Sequence, residues 1–455
     1  MAERLGHGRA RAGKRAAGRP RRTRDRRLEV LSGGRGERPE QLFVRKAGNR
    51  MTSTAGGWGF NPRHSWMRGE RPEQAVEFDE ETGMWHVYGY PEALAILNDP
   101  AVYTSDVARR FVPGADQWDF DGNLTQADPP EHHQLRTLVS RAFTPRVVSS
   151  LEPRIAEVAR ELLDEIAADR FELNEAFAYP LPMIVIGDLL GTPREDRFLF
   201  KKWADEGMAA RAQVKTTDDD GEQTRSIAAQ RESQRQMHDY LLEHIADRRK
   251  HPKDDLLTHL TEADVDGERL RDNQIVNFAG LLTFAGHVTT TMLLGNTILC
   301  LEANPAEREQ VRTDRSLIPS ALEESLRCMT PLASAYRGTN IDVDLGGVRI
   351  PKDQMLEVWL AAANRDPRQF PDPDRYDAGR TPNAHLGFGR GIHACLGGSL
   401  ARLEGRIAMN ALFDRFPELG VDPDGVPEMI PSPDFTGVWT LPLRTSSQAA
   451  ECTTS

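Results

Sequence analysis

Apolar residues alternate from Val76 to Val87 about a turn at Asp79–Gly83, which predicts two short strands joined by that turn. Pro91 suits the first turn of a helix over Glu92–Asn98. Residues 101–127 have no period and mix Gly, Pro, Asp and aromatics, as a long loop region does; such loops in a compact enzyme often touch substrate. Apolar spacings of three and four predict helices over Pro153–Ala168, Phe198–Ala210 and Ser226–Arg249, with an acidic loop around Asp218–Glu222 between the last two. From about Asp272 to Leu301 no polar face is visible, which predicts a long helix buried on all sides. Short strand-like runs alternate with turns over 337–380, and a last helix is expected from near Cys395 to about Phe413. The sum is mainly α with minor β, an α+β chain with no internal repeat.

Composition narrows the class. The most apolar window, Leu281 to Leu301, contains His287, five threonines and Asn296, so it reads as a core helix and no membrane span is expected. The four cysteines, at 300, 328, 395 and 452, show no pairing or C-x-x-C spacing, and a reducing cytoplasm is expected. Residues 1–50 hold 16 Lys or Arg against 5 Asp or Glu, a net of +11 in a chain that totals −11. Such a basic, aromatic-poor stretch cannot fold alone. It reads as a disordered or spurious extension before Met51, with 51–455 as one catalytic domain; an arm for nucleic acid is the alternative reading.

The chemistry concentrates at Phe388-Gly389-Arg390-Gly391-Ile392-His393-Ala394-Cys395-Leu396-Gly397. Glycines before the cysteine allow a tight turn, and the helix that follows offers its N-terminus to a thiolate. Such a loop can present one sulfur to a metal. Elsewhere, Glu324 and Arg327 share a helix face three residues apart. His132 and Arg136 share one four apart, so both could meet one carboxylate. Midway along the long apolar helix stands Ala285-Gly286-His287-Val288-Thr289-Thr290, where Gly286 permits close backbone approach and threonines can bond back to i−4 carbonyls.

Together these motifs resemble the cytochrome P-450 family, most of all its soluble bacterial, actinomycete-like haem-thiolate monooxygenases, over about residues 60–445. The cysteine run matches that family's haem-binding signature, F-G-x-G-x-H-x-C-x-G, and implies that Cys395 is the axial ligand of a haem b iron, with Phe388, Gly389 and Gly397 shaping the loop. Thiolate ligation favours O–O cleavage. The resemblance implies a structural pair, Glu324 with Arg327, joined by Arg375 as a third basic residue. It also implies that His132, Arg136, Arg337 and His393 hold the haem propionates, since a buried carboxylate without partners is costly. Thr289 takes the role of the alcohol that hydrogen-bonds bound dioxygen, with Ala285, Gly286 and His287 in the same motif. Ala333, Phe435, Val288, Ala285 and the 101–127 loop are implied to line the substrate pocket.

One position departs from the family pattern. Val288 stands where an Asp or Glu usually precedes the threonine, so proton delivery must use Thr289 with water, His287 or a substrate hydroxyl. The implied fold buries haem between the long helix and the cysteine loop. The implied reaction places one oxygen atom of dioxygen into a C–H or C=C bond of a small molecule, with a polyketide or macrolide secondary metabolite the leading substrate class. Electrons come from NAD(P)H through a separate ferredoxin and reductase, and the enzyme is expected to be a cytoplasmic monomer. The rivals are a peroxide-driven or oxidative-coupling haem-thiolate enzyme, and a haem-binding sensor without turnover.

Overall fold

The computed structural model describes residues 59–111, 120–212, 222–265 and 267–445. The alternating segment folds as a hairpin of β1 (Val76–Asp79) and β2 (Met84–Val87). Gly83 closes the turn at φ 67°, its amide donating to the Asp79 carbonyl at 2.8 Å. With β3 (Tyr103–Thr104), β4 (Ala335–Thr339) and β5 (Met355–Val358) the hairpin makes a five-stranded sheet in the order β1-β2-β5-β4-β3. A smaller sheet joins Gly420–Val421, Pro442–Arg444 and Arg170–Glu172.

Helices form the remainder. They include α1 (Tyr90–Asn98), with Pro91 in its first turn, α2 (Glu131–Ser140), α3 (Glu152–Asp164) and α4 (Pro180–Leu190). There follow α5 (Arg197–Ala212), α6 (Glu222–Lys250), α7 (Asp272–Ala303), α8 (Ile318–Cys328) and α9 (Gly398–Arg415). The 32-residue α7 packs against α4 and α6 and against α8 and α9, so it is the core helix of the fold. Leu293, Leu294, Leu299, Leu322, Leu326 and Leu412 meet there in one buried cluster. Each such side chain stabilises by roughly 1.5–3 kcal/mol through burial. By length and composition α7 could cross a membrane, but 72% of its most apolar window is buried inside the protein.

Four expectations need correction. Residues 101–127 are not an unbroken loop: they contain β3 and a short helix, Val107–Phe111. β3 exists by pairing Tyr103 with Thr339 and Thr104 with Gly338, a contact across the sequence that no local period announces. Residues 112–119, and most of the expected acidic loop (213–221), lie outside the described residues, while Glu222 already belongs to α6. The last helix starts at Gly398, because a one-turn 3₁₀ segment at Gly391–His393 precedes the cysteine. α7 is not buried on all sides: its first turn, Asp272 to Gln274, is uncovered, and along its middle Phe284 and Gly286 keep accessible surface beside a stripe of Leu281, Ala285 and Thr289 at i, i+4 and i+8.

On α8, Glu324 and Arg327 are both fully buried and meet at 2.7 and 2.8 Å. The Glu324 carboxylate also accepts from the Asp377 amide, Asn383 Nδ2 and Arg380 Nε, each at 3.0 Å. Arg327 donates to the carbonyls of Asn364, Pro373 and Arg375. The third basic residue is therefore Arg380. Arg375 is exposed and contributes its carbonyl, because the chain after it turns back and brings Arg380 to the carboxylate. With every lone pair and proton occupied, the pair ties α8 to the loop that leads into the cysteine segment; removing one member of such a pair typically costs 3–5 kcal/mol.

Candidate haem-thiolate site

The cysteine loop is shaped by two left-handed glycines, Gly389 at φ 66° and Gly391 at φ 69°. A Cβ on Gly391 would lie 2.1 Å from the Leu97 carbonyl oxygen at the end of α1, so only glycine fits. The Cys395 amide donates to the Phe388 carbonyl at 2.8 Å, which closes the loop. The sulfur accepts from the amides of Gly397 and Gly398, at the start of α9. Burial pushes the thiol up, against the pull of those amides and of Arg136 and Arg402. Cys395 nevertheless has an accessible side chain. A sulfur both desolvated and accessible faces an internal cleft. Cys300 and Cys328, by contrast, are sealed in the core.

Four cationic or polar donors gather beside it. His132 on α2 lies edge-on to His393 with ring centroids 4.4 Å apart. Arg136 follows one turn later on α2, and Arg337 projects from β4. Burial, then Arg337, His132 and Arg136, push His393 down to about 3. Burial lowers Arg337 to about 10, and burial and then Arg136 lower His132. Asp128 is the carboxylate that acts on His132 and Arg337, but its oxygens already accept from the Thr104 hydroxyl and the Ser105 amide. His132 Nε2 has no partner. Groups that oppose one another's charge in a desolvated site call for an external anion. Two propionates meet that need, and the chemistry of the set therefore fits haem. Among the described residues no cluster of three or more His, Cys, Asp or Glu side chains could hold a metal ion.

α7 supplies the opposite side. Thr289, Thr290 and Thr291 bond back to the carbonyls of Ala285, Gly286 and His287 at 2.8, 3.0 and 3.1 Å. A Cβ on Gly286 would come within 2.8 Å of Ile186, so its smallness serves the packing of α7 on α4. Ala285 and Thr289 lie on the accessible stripe. His287 does not join it. Two positions on from Ala285 puts it about 200° round the helix. It is 2% exposed, 4.1 Å edge-on to Tyr179, and burial pushes it down to about 3. It is a neutral core histidine. Val288 is packed with Ala204, Met292, Ile430 and Phe435, and with Phe284 and Leu332 beside them. Ala333 is fully buried, its amide donating to the Asp434 carbonyl at 2.7 Å, so of the four residues implied to line the pocket only Ala285 keeps an open surface, while Val288, Phe435 and Ala333 are packed into the core.

Three residues of this site went unnoticed in the sequence. Ser105 Oγ lies 2.9 Å from His393 Nε2. Arg380 completes the buried ion pair. Glu404 of α9 is fully buried, its Oε1 has no partner, and burial raises it to about 8 against a hydrogen bond with Thr290. The Thr290 hydrogen goes to Gly286, so its oxygen is free to accept the proton of a neutral Glu404. Its place in Ala401-Arg402-Leu403-Glu404 looks like any charged helix surface, so the sequence offered no signal.

A helical fold that brings one accessible cysteine beside two arginines and two histidines in a desolvated site defines a haem-thiolate protein. The chain matches the cytochrome P-450 family over residues 210–447. It is 43% identical over 370 residues to cyclomarin C epoxidase of Salinispora arenicola, covering 80% of this chain and 91% of that one. It is 39% identical to the erythromycin C-12 hydroxylase of Saccharopolyspora erythraea, over 79% of this chain and 88% of the relative. The crystal structure of HmtT, involved in himastatin biosynthesis, is similar with 53% identity and a TM-score of 0.78, over 86% and 98% of the two chains. The chain belongs to the cytochrome P-450 family. It is a monooxygenase with a haem-thiolate cofactor, acts on small organic substrates with dioxygen, and receives electrons from redox partners.

Proposed function

We propose that Cys395 ligates the iron of haem b, with His132, Arg136, Arg337 and His393 on the propionates, in an enzyme that hydroxylates or epoxidises a secondary metabolite. The observation that carries this is the donor cluster around Cys395: His132 and His393 stand 4.4 Å apart, His132 Nε2 is buried without a partner, and the nearby Asp128 carboxylate is already engaged by Thr104 and Ser105. Relatives named for cyclomarin C, erythromycin and himastatin support a substrate on the scale of a macrolide or polyketide. Ala285, on the accessible face of α7, meets the substrate, and the buried Val288, Phe435 and Ala333 back that face from the core. NAD(P)H, a reductase and a ferredoxin supply the electrons. Residues 51–455 act as one catalytic domain, a cytoplasmic monomer without a membrane or nucleic-acid partner, and residues 1–50 take no part.

Haem held there would supply the activation of dioxygen, one atom entering the substrate and the other leaving as water with two electrons and two protons. Thr289 Oγ donates its hydrogen to the Ala285 carbonyl at 2.8 Å, and the residue itself lies on the accessible stripe. Rotation about χ1 turns the hydroxyl into a donor to the cleft. Val288 neither donates nor accepts. Glu404, pushed up to about 8 by burial, holds a proton at the buried Thr290 hydroxyl, on the packed side of α7. The apolar shell around Val288 also favours a second reading, direct use of hydrogen peroxide, which bypasses proton delivery. Candidate macrolides are scored by the shift they cause in the Soret band of the haem-loaded protein, then turned over. Faster turnover with reductase and ferredoxin than with peroxide supports monooxygenation; the reverse supports the peroxide reading.

A further inference from the structure

Glu323 precedes the buried Glu324 on α8 and points elsewhere. Its carboxylate accepts Arg402 Nε at 2.7 Å and Nη2 at 2.8 Å, a two-pronged contact. It also takes His385 Nε2 at 3.0 Å. His385 Nδ1 accepts from the Gly387 amide at 3.1 Å, so the imidazole proton sits on Nε2 and the ring is a neutral donor. Arg402 of α9 lies over the Phe388 ring at 4.3 Å. The Phe388 carbonyl, in turn, holds the Cys395 amide. One carboxylate thus fixes two residues, one from α9 and one at the entry of the loop, that frame Phe388.

Charge travels the same route. Burial would raise Glu323, but the hydrogen bonds from His385 and Arg402 hold it down at about 2, so it is an anion at neutral pH. The Arg402 cation also reaches the Gly398 carbonyl with Nη1 at 3.4 Å, in the first turn of α9 three residues after Cys395. Side-chain exposures of 26% for Glu323 and 48% for Arg402 leave the pair partly solvated, at a groove of about 570 Å³ walled by Val148, Leu322 and Leu403. Neither residue belongs to the propionate set or to the α7 stripe.

We propose that Glu323 is a positioning residue that sets the iron reduction potential, by neutralising Arg402 beside the Cys395 thiolate and by fixing Phe388 at the cysteine loop. The inference rests on Cys395 being the ligand. Reduction from ferric to ferrous adds one electron from the redox partner, so the site becomes more negative by one charge; no bond forms or breaks. An Arg402 cation freed of Glu323 favours the ferrous state. A Glu323 anion freed of Arg402 disfavours it. Because both charges are partly solvated, each effect is modest.

The test is spectroelectrochemical titration of the haem-loaded full chain. Glu323→Gln is expected to raise the potential and Arg402→Gln to lower it, each by a threefold to tenfold change in the ferric–ferrous equilibrium, tenfold being 59 mV for one electron. The double variant is expected to return toward the parent, which a merely structural role does not do. Shifts of the same sign, shifts below twofold, or a double variant equal to the larger single change overturn the proposal. If one single variant fails to retain haem, the sign of the other decides; loss of haem in both assigns the clamp to folding and also overturns it. A parent lacking the thiolate carbon monoxide band sinks the ligand assignment, whereas a parent with the band and an indifferent Glu323 sinks only this inference.

Discussion

Replacing Glu404 by Gln should stabilise the protein at neutral pH and flatten its stability profile. An unfolded carboxyl ionises from about pH 4.5 upward, while the buried Glu404 stays neutral until about 8. Its contribution is therefore fully present below pH 4.5 and is lost as pH rises through 8. At pH 7 the loss spans about two and a half pH units at roughly 1.4 kcal/mol each, about 3–3.5 kcal/mol. Gln keeps the shape, cannot ionise, and can donate to the Thr290 oxygen as the neutral acid does. Urea unfolding midpoints of parent and Glu404→Gln, followed by the Soret band from pH 5 to pH 8.5, measure the difference. The curves should meet near pH 5 and separate steadily to about 3–3.5 kcal/mol at pH 7, the variant being the more stable. Parallel curves, or a variant weaker at pH 7, would refute a neutral Glu404.

Thr289→Ala should leave substrate binding nearly intact but lower the ratio of product to nicotinamide consumed severalfold, with hydrogen peroxide in its place; unchanged coupling with every substrate moves proton delivery off Thr289. Val288→Asp should reduce haem content and thermal stability, because Val288 is 7% exposed among Met292, Phe435 and Ile430 and an unpaired carboxylate there is costly. Normal haem content with improved coupling would show that water reaches the site. Glu324→Gln should lower stability by about 3–5 kcal/mol, read from denaturant unfolding, since it strips the charge from a carboxylate bound by Arg327 and Arg380. Deleting residues 1–50 should leave haem content and melting temperature unchanged; a clear fall would show that the segment contributes to the fold.

Much of the architecture is written locally. The β1–β2 hairpin, α3, α5 and α6 follow from period and turn residues, and the cysteine loop from its glycines. What the sequence concealed depends on distant contacts. β3 is two residues long and exists only beside β4. Arg375 and Arg380 are equivalent as letters, and only the turn between them decides which side chain reaches Glu324. His287 lies inside the oxygen-binding motif, yet helix rotation sends it to Tyr179. Glu404 and Glu323 look like surface charges until burial and partners are known. Helical period tells which residues share a face, but not what that face meets.

The account turns on Cys395. The most direct measurement is the absorption spectrum of the reduced carbon monoxide complex for the parent, Cys395→Ala and Cys328→Ala. Parent and Cys328→Ala should show the red-shifted Soret band of thiolate ligation, and Cys395→Ala should lose it. Retention of the band in Cys395→Ala, with its loss in Cys328→Ala, would contradict the assignment.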